Sequence, residues 1–346
     1  MVIQLLAEIK MGAIKNIIRQ LDPLTKGFHL YNKTIFPYYH TVSSEALPHI
    51  KELYNYKTEK EFVKDLDFLL NKYQVLQPSD LIKSIQMRTK IPENSFLLSF
   101  DDGLTEVYKN IVPILNKKGI PAIFFINNKY IDNSTLFYKH KISLIVHSIK
   151  TNLKDKSIEK VKHILDLSQS NESELIAMIH KLDHHDGEKL DRILLALEID
   201  QTEYLENKQP YLTFEELEKI SNQGHFLGGH TVHHYPMDKL TINEQVESII
   251  ESVTWLKDNF HLKYELFSFP FSDLFASETL FEKVFSSLPN LICMGNSGMR
   301  DDISDNIIQR FSLEKENFAD VGVRMNIAYR KYLTLIGQRK IIRKKL

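Results

Sequence analysis

Short apolar runs rich in Ile, Phe, Tyr and Leu recur along this chain with helical stretches between them. That alternation limits the possible folds more than any other feature. "TIFPYYH" leads to a helical pattern over about 57–73, "NSFLLSF" to one over about 105–118, and "PAIFFIN" follows directly. Strands that alternate with helices in this way form a parallel sheet or barrel with the helices outside. The boundaries agree, since Gly119 is placed to close one helix and Pro121 to open the next strand. Later strands are predicted at "LFSFPF", "LICMG" and "IIQRFSLE".

From about residue 135 to 208 strand formers become scarce and the chain is charged and helical, so this stretch reads as an insertion, bounded at about 133–210. The alternation resumes with "LTFEELEKISNQGHFLGGHT", where Thr213 followed by Glu216 forms a capping-box pattern. The 44 Lys and Arg nearly balance the 45 Asp and Glu, which excludes a global field suited to nucleic acid. Cys293 is the single cysteine, so neither a disulfide framework nor a thiolate metal site is available.

At the N-terminus Glu8, Lys10, Lys15 and Arg19 interrupt the apolar residues, leaving no signal-peptide h-region. Ile14, Ile17, Ile18 and Leu21 instead suggest a short amphipathic helix. With no run long enough to cross a bilayer, a cytoplasmic protein is expected. After Arg324 the chain is basic throughout, which suggests a solvated helix end or a weak contact with an anionic membrane surface. The expected organisation is a helical segment over 1–29, a main domain over 30–320 and a basic C-terminal helix over 321–346.

Two segments carry chemistry. "FLLSFDDGLTEVY" places Asp101 and Asp102 at the end of an apolar strand, the edge where catalytic groups of parallel α/β folds gather. Two adjacent carboxylates repel, so one of them needs a cation or a proton nearby. "GGHTVHH" sets His230 three residues from His233 and four from His234, and either spacing could converge on one ion from a helical turn. Two imidazoles and a carboxylate form a three-ligand site with positions left open for water and substrate. "LDHHDG", with His184, His185 and Asp186, lies inside the charged insertion and reads as a solvated helix–helix turn.

"SFDDG", then "GIPAIFFIN", then "GHFLGGHTVHH" resembles the polysaccharide deacetylase family (NodB homology, carbohydrate esterase family 4). The resemblance implies a distorted (β/α)7 barrel over roughly 30–315. It implies His230, His234 and Asp102 as ligands of a divalent metal, Zn2+ first and Co2+, Ni2+ or Mn2+ otherwise, with Asp101 as general base. The family's RxPYG motif becomes "SFPFS", with Ser268, Pro270, Phe271 and Ser272 in the matching places. Pro270 and the Phe271 backbone N–H can still shape a turn and donate to an oxyanion. The arginine that pairs with the base is missing there. Arg310 is the expected substitute, with Glu314 as its partner.

No histidine follows His261 to serve as the family's late general acid. The resemblance extends to circularly permuted members with an N-terminal "YH" strand, and "FPYYHTVS" assigns the acid to His40, with His49 a weaker surface candidate. The implied activity is metal-dependent hydrolysis of N-acetyl groups on a carbohydrate, lipid-linked sugars included. Two alternatives remain open: a metal hydrolase of another small amide, and an impaired family member that binds carbohydrate without turnover.

Overall fold

The computed structural model describes residues 33–345 apart from 152–154 and 317. The helix expected around Ile14–Leu21 lies outside the described residues. Ten strands occur among them: β1 (Pro37–Tyr39), β2 (Gln74–Val75), β3 (Ser95–Phe96), β4 (Leu98–Phe100), β5 (Ala122–Ile126), β6 (Phe226–Gly229), β7 (Leu266–Ser268), β8 (Ile292–Gly295), β9 (Ile307–Gln309) and β10 (Phe311–Ser312). β2 and β3 pair with each other, and the other eight form one parallel sheet in the order β10-β1-β4-β5-β6-β7-β8-β9.

The last two strands are halves of one run. Ile307–Gln309 lie against Cys293–Gly295 of β8, whereas Phe311 and Ser312 lie against Pro37 and Tyr38 of β1. The run changes partner at Arg310, linking the two edges of the sheet, so seven staves make a nearly closed barrel. The fold is therefore a distorted parallel (β/α) barrel of seven staves, as the sequence predicts.

β5 is buried along its whole length because both of its faces are covered. Ile123 and Phe125 point inward with Leu266, Ile292, Met294 and Ile308, and Leu81, Ile82 and Ile85 of α2 (Pro78–Gln86) join this inner cluster. Ala122, Phe124 and Ile126 point outward and meet Phe62, Leu66 and Leu69 of α1 (Glu59–Lys72). Each such aromatic or branched side chain contributes roughly 1.5–3 kcal/mol by leaving water.

Local signals set the helix ends. Thr58 and Glu61 cap α1 reciprocally. A π-helical turn at Val107–Ile111 precedes α3 (Val112–Lys118), and Gly119 ends α3 with φ +65°. The described residues of the insertion form five α-helices: α4 (Tyr138–Thr151), α5 (Asp155–Ile164), α6 (Glu172–Ile179), α7 (Gly187–Ala196) and α8 (Gln201–Lys208). They share a core of their own, including Ile145, Ile149, Leu175, Leu190 and Ile193, which also takes in Leu47 and Ile50 from the segment after β1.

After the insertion the barrel resumes through α9 (Phe214–Asn222), α10 (Ile242–Asn259), α11 (Glu278–Ser287) and α12 (Ala319–Leu335). Thr213 and Glu216 form the reciprocal cap of α9. No described helix is long and apolar enough to cross a membrane.

The basic C-terminus departs from the expected solvated helix end. α12 stops at Leu335, and the chain then runs back along the barrel, bridging Asp301 through Lys340. Its cations find acids from other segments. Arg330 and Arg339 pair with Asp301, Lys345 with Glu282, and the fully buried Arg343 with both Asp273 and Asp302. The absence of acids in the local sequence hid this pairing.

Candidate active site

Asp101 and Asp102 leave the C-terminal end of β4, and Asp102 takes a left-handed backbone (φ 76°) that turns its side chain away from that of Asp101. His230 follows β6, held by its N–H to the Ile126 carbonyl at 3.0 Å. Residues 230–234 form no helical turn, contrary to one route by which the histidines were expected to converge. Left-handed backbone at Thr231 (φ 65°) and His234 (φ 53°) folds the segment back on itself. The His234 N–H donates to the Thr231 hydroxyl at 3.0 Å, and the Asn127 amide donates to the carbonyls of His230 and Thr231. Non-glycine residues held in that region cost free energy and cluster at functional sites.

The two glycines that precede the histidines serve close packing. A Cβ on Gly228 would lie 2.6 Å from the Phe125 ring inside the barrel, and one on Gly229 would lie 2.6 Å from Ser252 of α10. His233 faces away, stacked on Tyr235, and its carbonyl accepts from the Tyr130 hydroxyl.

Asp102 Oδ1 stands 3.3 Å from His230 Nε2 and 3.0 Å from His234 Nε2. His230 Nδ1 donates to the Ser268 carbonyl at 2.8 Å, which leaves a lone pair on Nε2. That lone pair and a carboxylate oxygen then face each other in a buried place, an arrangement able to hold a cation between them. Burial alone would raise the Asp102 pKa, but the facing His234 and His40 hold its carboxyl well below the usual range. Donor atoms about 2 Å from one tetrahedral ion stand about 3.3 Å apart, so the three side chains fit a divalent metal.

A second group, Asp183, His184 and His185, also brings metal-type ligands together. Its carboxylate is already used, pairing with Lys239 and accepting the His185 N–H.

Arg310 lies entirely buried beside Asp101. Its guanidinium donates from Nη1 to Oδ1 and from Nη2 to Oδ2, both at 2.8 Å, and also to the hydroxyls of Ser99 and Ser268. The rings of Tyr38 and Phe125 lie 4.7 and 5.1 Å from the cation. Burial pushes the Asp101 carboxyl up, and Arg310, helped by His230 and His40, more than offsets this, so its pKa falls below the ordinary value. Ser268, standing where the arginine of the third motif would be, leaves the space that this guanidinium enters from the opposite strand.

Glu314 does not pair with Arg310 as expected; it holds His40. Its Oε2 lies 2.7 Å from His40 Nδ1, and its Oε1 accepts the backbone N–H groups of His40 and Thr41. Burial pushes the imidazole down, but the carboxylates of Glu314, Asp102 and Asp101 together outweigh it and raise its pKa to about 10. His49 is a correction to the sequence reading. It is buried, not at the surface, against Tyr204 and His140.

Asp101, Asp102, His40, His230, His234 and Phe271 line one cleft of about 650 Å3 at the C-terminal mouth of the barrel. Phe271 has a left-handed backbone (φ 56°), and its ring meets the His234 ring edge-on at 4.7 Å. Sequence reasoning missed the insertion's wall of this cleft (Phe137, Lys139, His140 and His180), because nothing in their local pattern tells which face of the barrel the insertion covers.

A family model described as polysaccharide deacetylase matches residues 88–284. YxkH of Bacillus subtilis (strain 168), named for the same family, is 29% identical over 120 residues, 32% of this chain and 40% of that protein. The alignment thus spans less than half the length of this relative. Three solved structures share the fold. The Streptococcus pyogenes deacetylase PplD in complex with acetate has a TM-score of 0.54 at 12% identity, covering 85% of this chain and 97% of that one. A de-N-acetylase from Aggregatibacter actinomycetemcomitans has a TM-score of 0.53 at 15% identity, with 84% and 99% covered. IcaB from Ammonifex degensii has a TM-score of 0.52 at 15% identity, with 85% and 97% covered.

Proposed function

Because the chain belongs to the polysaccharide deacetylase family, we propose that it hydrolyses N-acetyl groups of an amino sugar with the help of a divalent metal. Asp102, His230 and His234 would hold the ion, Zn2+ being the best match for two imidazoles and one carboxylate. When bound, it supplies Lewis acidity to the acetyl carbonyl and lowers the pKa of water.

This chain's own groups carry the rest of the reaction. Asp101, kept ionised and aimed by the Arg310 fork, takes a proton from the attacking water. The Phe271 N–H donates to the oxyanion as it forms, and one such donor is worth roughly 3–4 kcal/mol. His40, kept charged by Glu314, gives its proton to the departing amine, so water and amide become acetate and free amine. The N-terminal position of this acid fits the permuted subgroup.

The single observation that carries the reading is the set of three buried donor atoms facing one another beside a base fixed by a buried arginine. The test is metal analysis together with acetate release from N-acetylglucosamine oligomers, with Asp101→Asn as control. Metal-dependent acetate release that disappears in the control is the expected result. Metal bound without acetate from any acetylated sugar would overturn it in favour of a carbohydrate-binding protein.

A further inference from the structure

The charges lining the cleft do not balance. Among its acids, Asp101 is paired with Arg310, Asp102 faces the two histidines, and Glu314 holds His40. Glu52, on the insertion side, is neutralised by Lys150 at 2.5 Å and approached by His147. The two lysines that line the same cleft have no such partner among the described residues.

Lys139, in the first turn of α4, is half-buried, and its ammonium lies over the Phe271 ring at 5.7 Å and the Tyr138 ring at 5.5 Å. Phe271 in turn meets the candidate ligand His234, so this cation stands one aromatic ring from the reacting centre. The acid that acts on it, Asp183, is already bonded to Lys239. Lys315 approaches from the barrel side, one residue after Glu314. Burial and the neighbouring Lys239 push the Lys139 ammonium down from its ordinary value, as befits a cation short of a counter-ion.

We propose that the cleft is built for an acetylated sugar bearing an acidic substituent, a carboxylate or a phosphate, with Lys139 as its principal partner and Lys315 as a second. The inference rests on the deacetylase reading above, in that the acetamido group must lie at Asp102 and the two histidines. A cation partly removed from water over two rings lacks solvation that an anionic oxygen would supply, and a neutral sugar would leave it unmet. The insertion would then set specificity, since it brings Lys139 to the mouth of a barrel whose own strands carry the chemistry.

Equilibrium binding to the metal-loaded full chain reads this inference, and acetate release reads the underlying activity. The probes are N-acetylglucosamine, N-acetylglucosamine 1-phosphate and N-acetylmuramic acid, which separate the neutral, phosphate and carboxylate cases. One or both anionic sugars should bind about tenfold tighter than the neutral one, the size of a single charge-assisted hydrogen bond. The preference should shrink as salt rises from 0.05 to 0.5 M. It should fall at least fivefold in Lys139→Met and survive in Lys139→Arg, a half-exposed position where neither change threatens folding. Equal binding of all three sugars, or a preference untouched by both salt and Lys139→Met, overturns the inference even if acetate is released. Selective binding without acetate release from any of them supports it and sinks the deacetylase reading instead.

Discussion

The Arg310–Asp101 pair admits a demanding test. Arg310→Met keeps most of the side chain's volume and removes the cation, leaving a carboxylate that is 3% exposed without its paired counter-charge. Breaking one partner of a buried pair costs roughly 3–5 kcal/mol if the other stays charged. Asp101 can escape part of that cost by taking a proton, and the sign follows. In the intact protein its pKa is depressed, so the pair stabilises the fold above the unfolded carboxylate value near 3.9 and the contribution is lost as pH falls through the folded value. In the variant burial loses its main opponent, with only His230 and His40 left to act against it, so the pKa rises and the stability deficit should be largest at neutral pH and shrink toward pH 4. A protonated Asp101 is no base, and a positioned base contributes roughly 10²–10⁴-fold. Acetate release at pH 7 should fall by a factor in that range, with the acid limb of the pH profile displaced upward, while thermal unfolding at pH 4.5 and 7.5 reads the stability term. Turnover within threefold of the parent and an unmoved acid limb would refute the reasoning. Arg310→Lys, which restores charge without the two-pronged fork, should recover stability more than activity.

Four further outcomes follow from the same contacts. Glu314→Gln should lower the His40 pKa from about 10 and move the alkaline limb of activity down; in the parent, the stability from this pair is complete below about pH 6.5 and is lost as pH rises through about 10, as pH-dependent unfolding would register. Gly228→Ala drives a methyl group into the Phe125 ring and should cost about 1–3 kcal/mol in a urea titration. Arg343→Met leaves Asp273 and Asp302 buried together without their cation, a loss of roughly 3–5 kcal/mol that Asp302→Asn in the same chain should partly restore. Asp102→Ala should abolish stoichiometric metal binding by equilibrium dialysis, whereas His233→Ala should leave it intact, because His233 faces Tyr235.

Much of the barrel was legible because its signals are local. The strand–helix alternation, the Thr213–Glu216 cap and the Gly119 stop each depend on neighbours within a few residues. Other features were not legible. β3 and β4 read as one apolar run, and only the pairing of Ser95–Phe96 with β2 and of Leu98–Phe100 with β1 divides it. The histidine segment looked like a helical turn because ligand spacing alone cannot distinguish a helix from a loop with two left-handed residues. Glu314 was assigned to Arg310 by proximity in sequence, yet it lies beyond the end of β10, where the chain has left the strand and delivers it to His40 instead.

By itself the sequence determined the elements, because periodicity, caps and stops act over a turn or a strand. It also determined the residue types that chemistry needs: two adjacent aspartates after a strand, and a histidine cluster behind two glycines. Only the tertiary structure decided which groups meet. Arg310 reaches Asp101 because one strand changes partners at that residue and closes the barrel, and Arg343 lies buried because two acids far away in sequence await it. The physical reason is common to both. A charge is buried only where an opposite charge arrives in three dimensions, and no local pattern records that arrival.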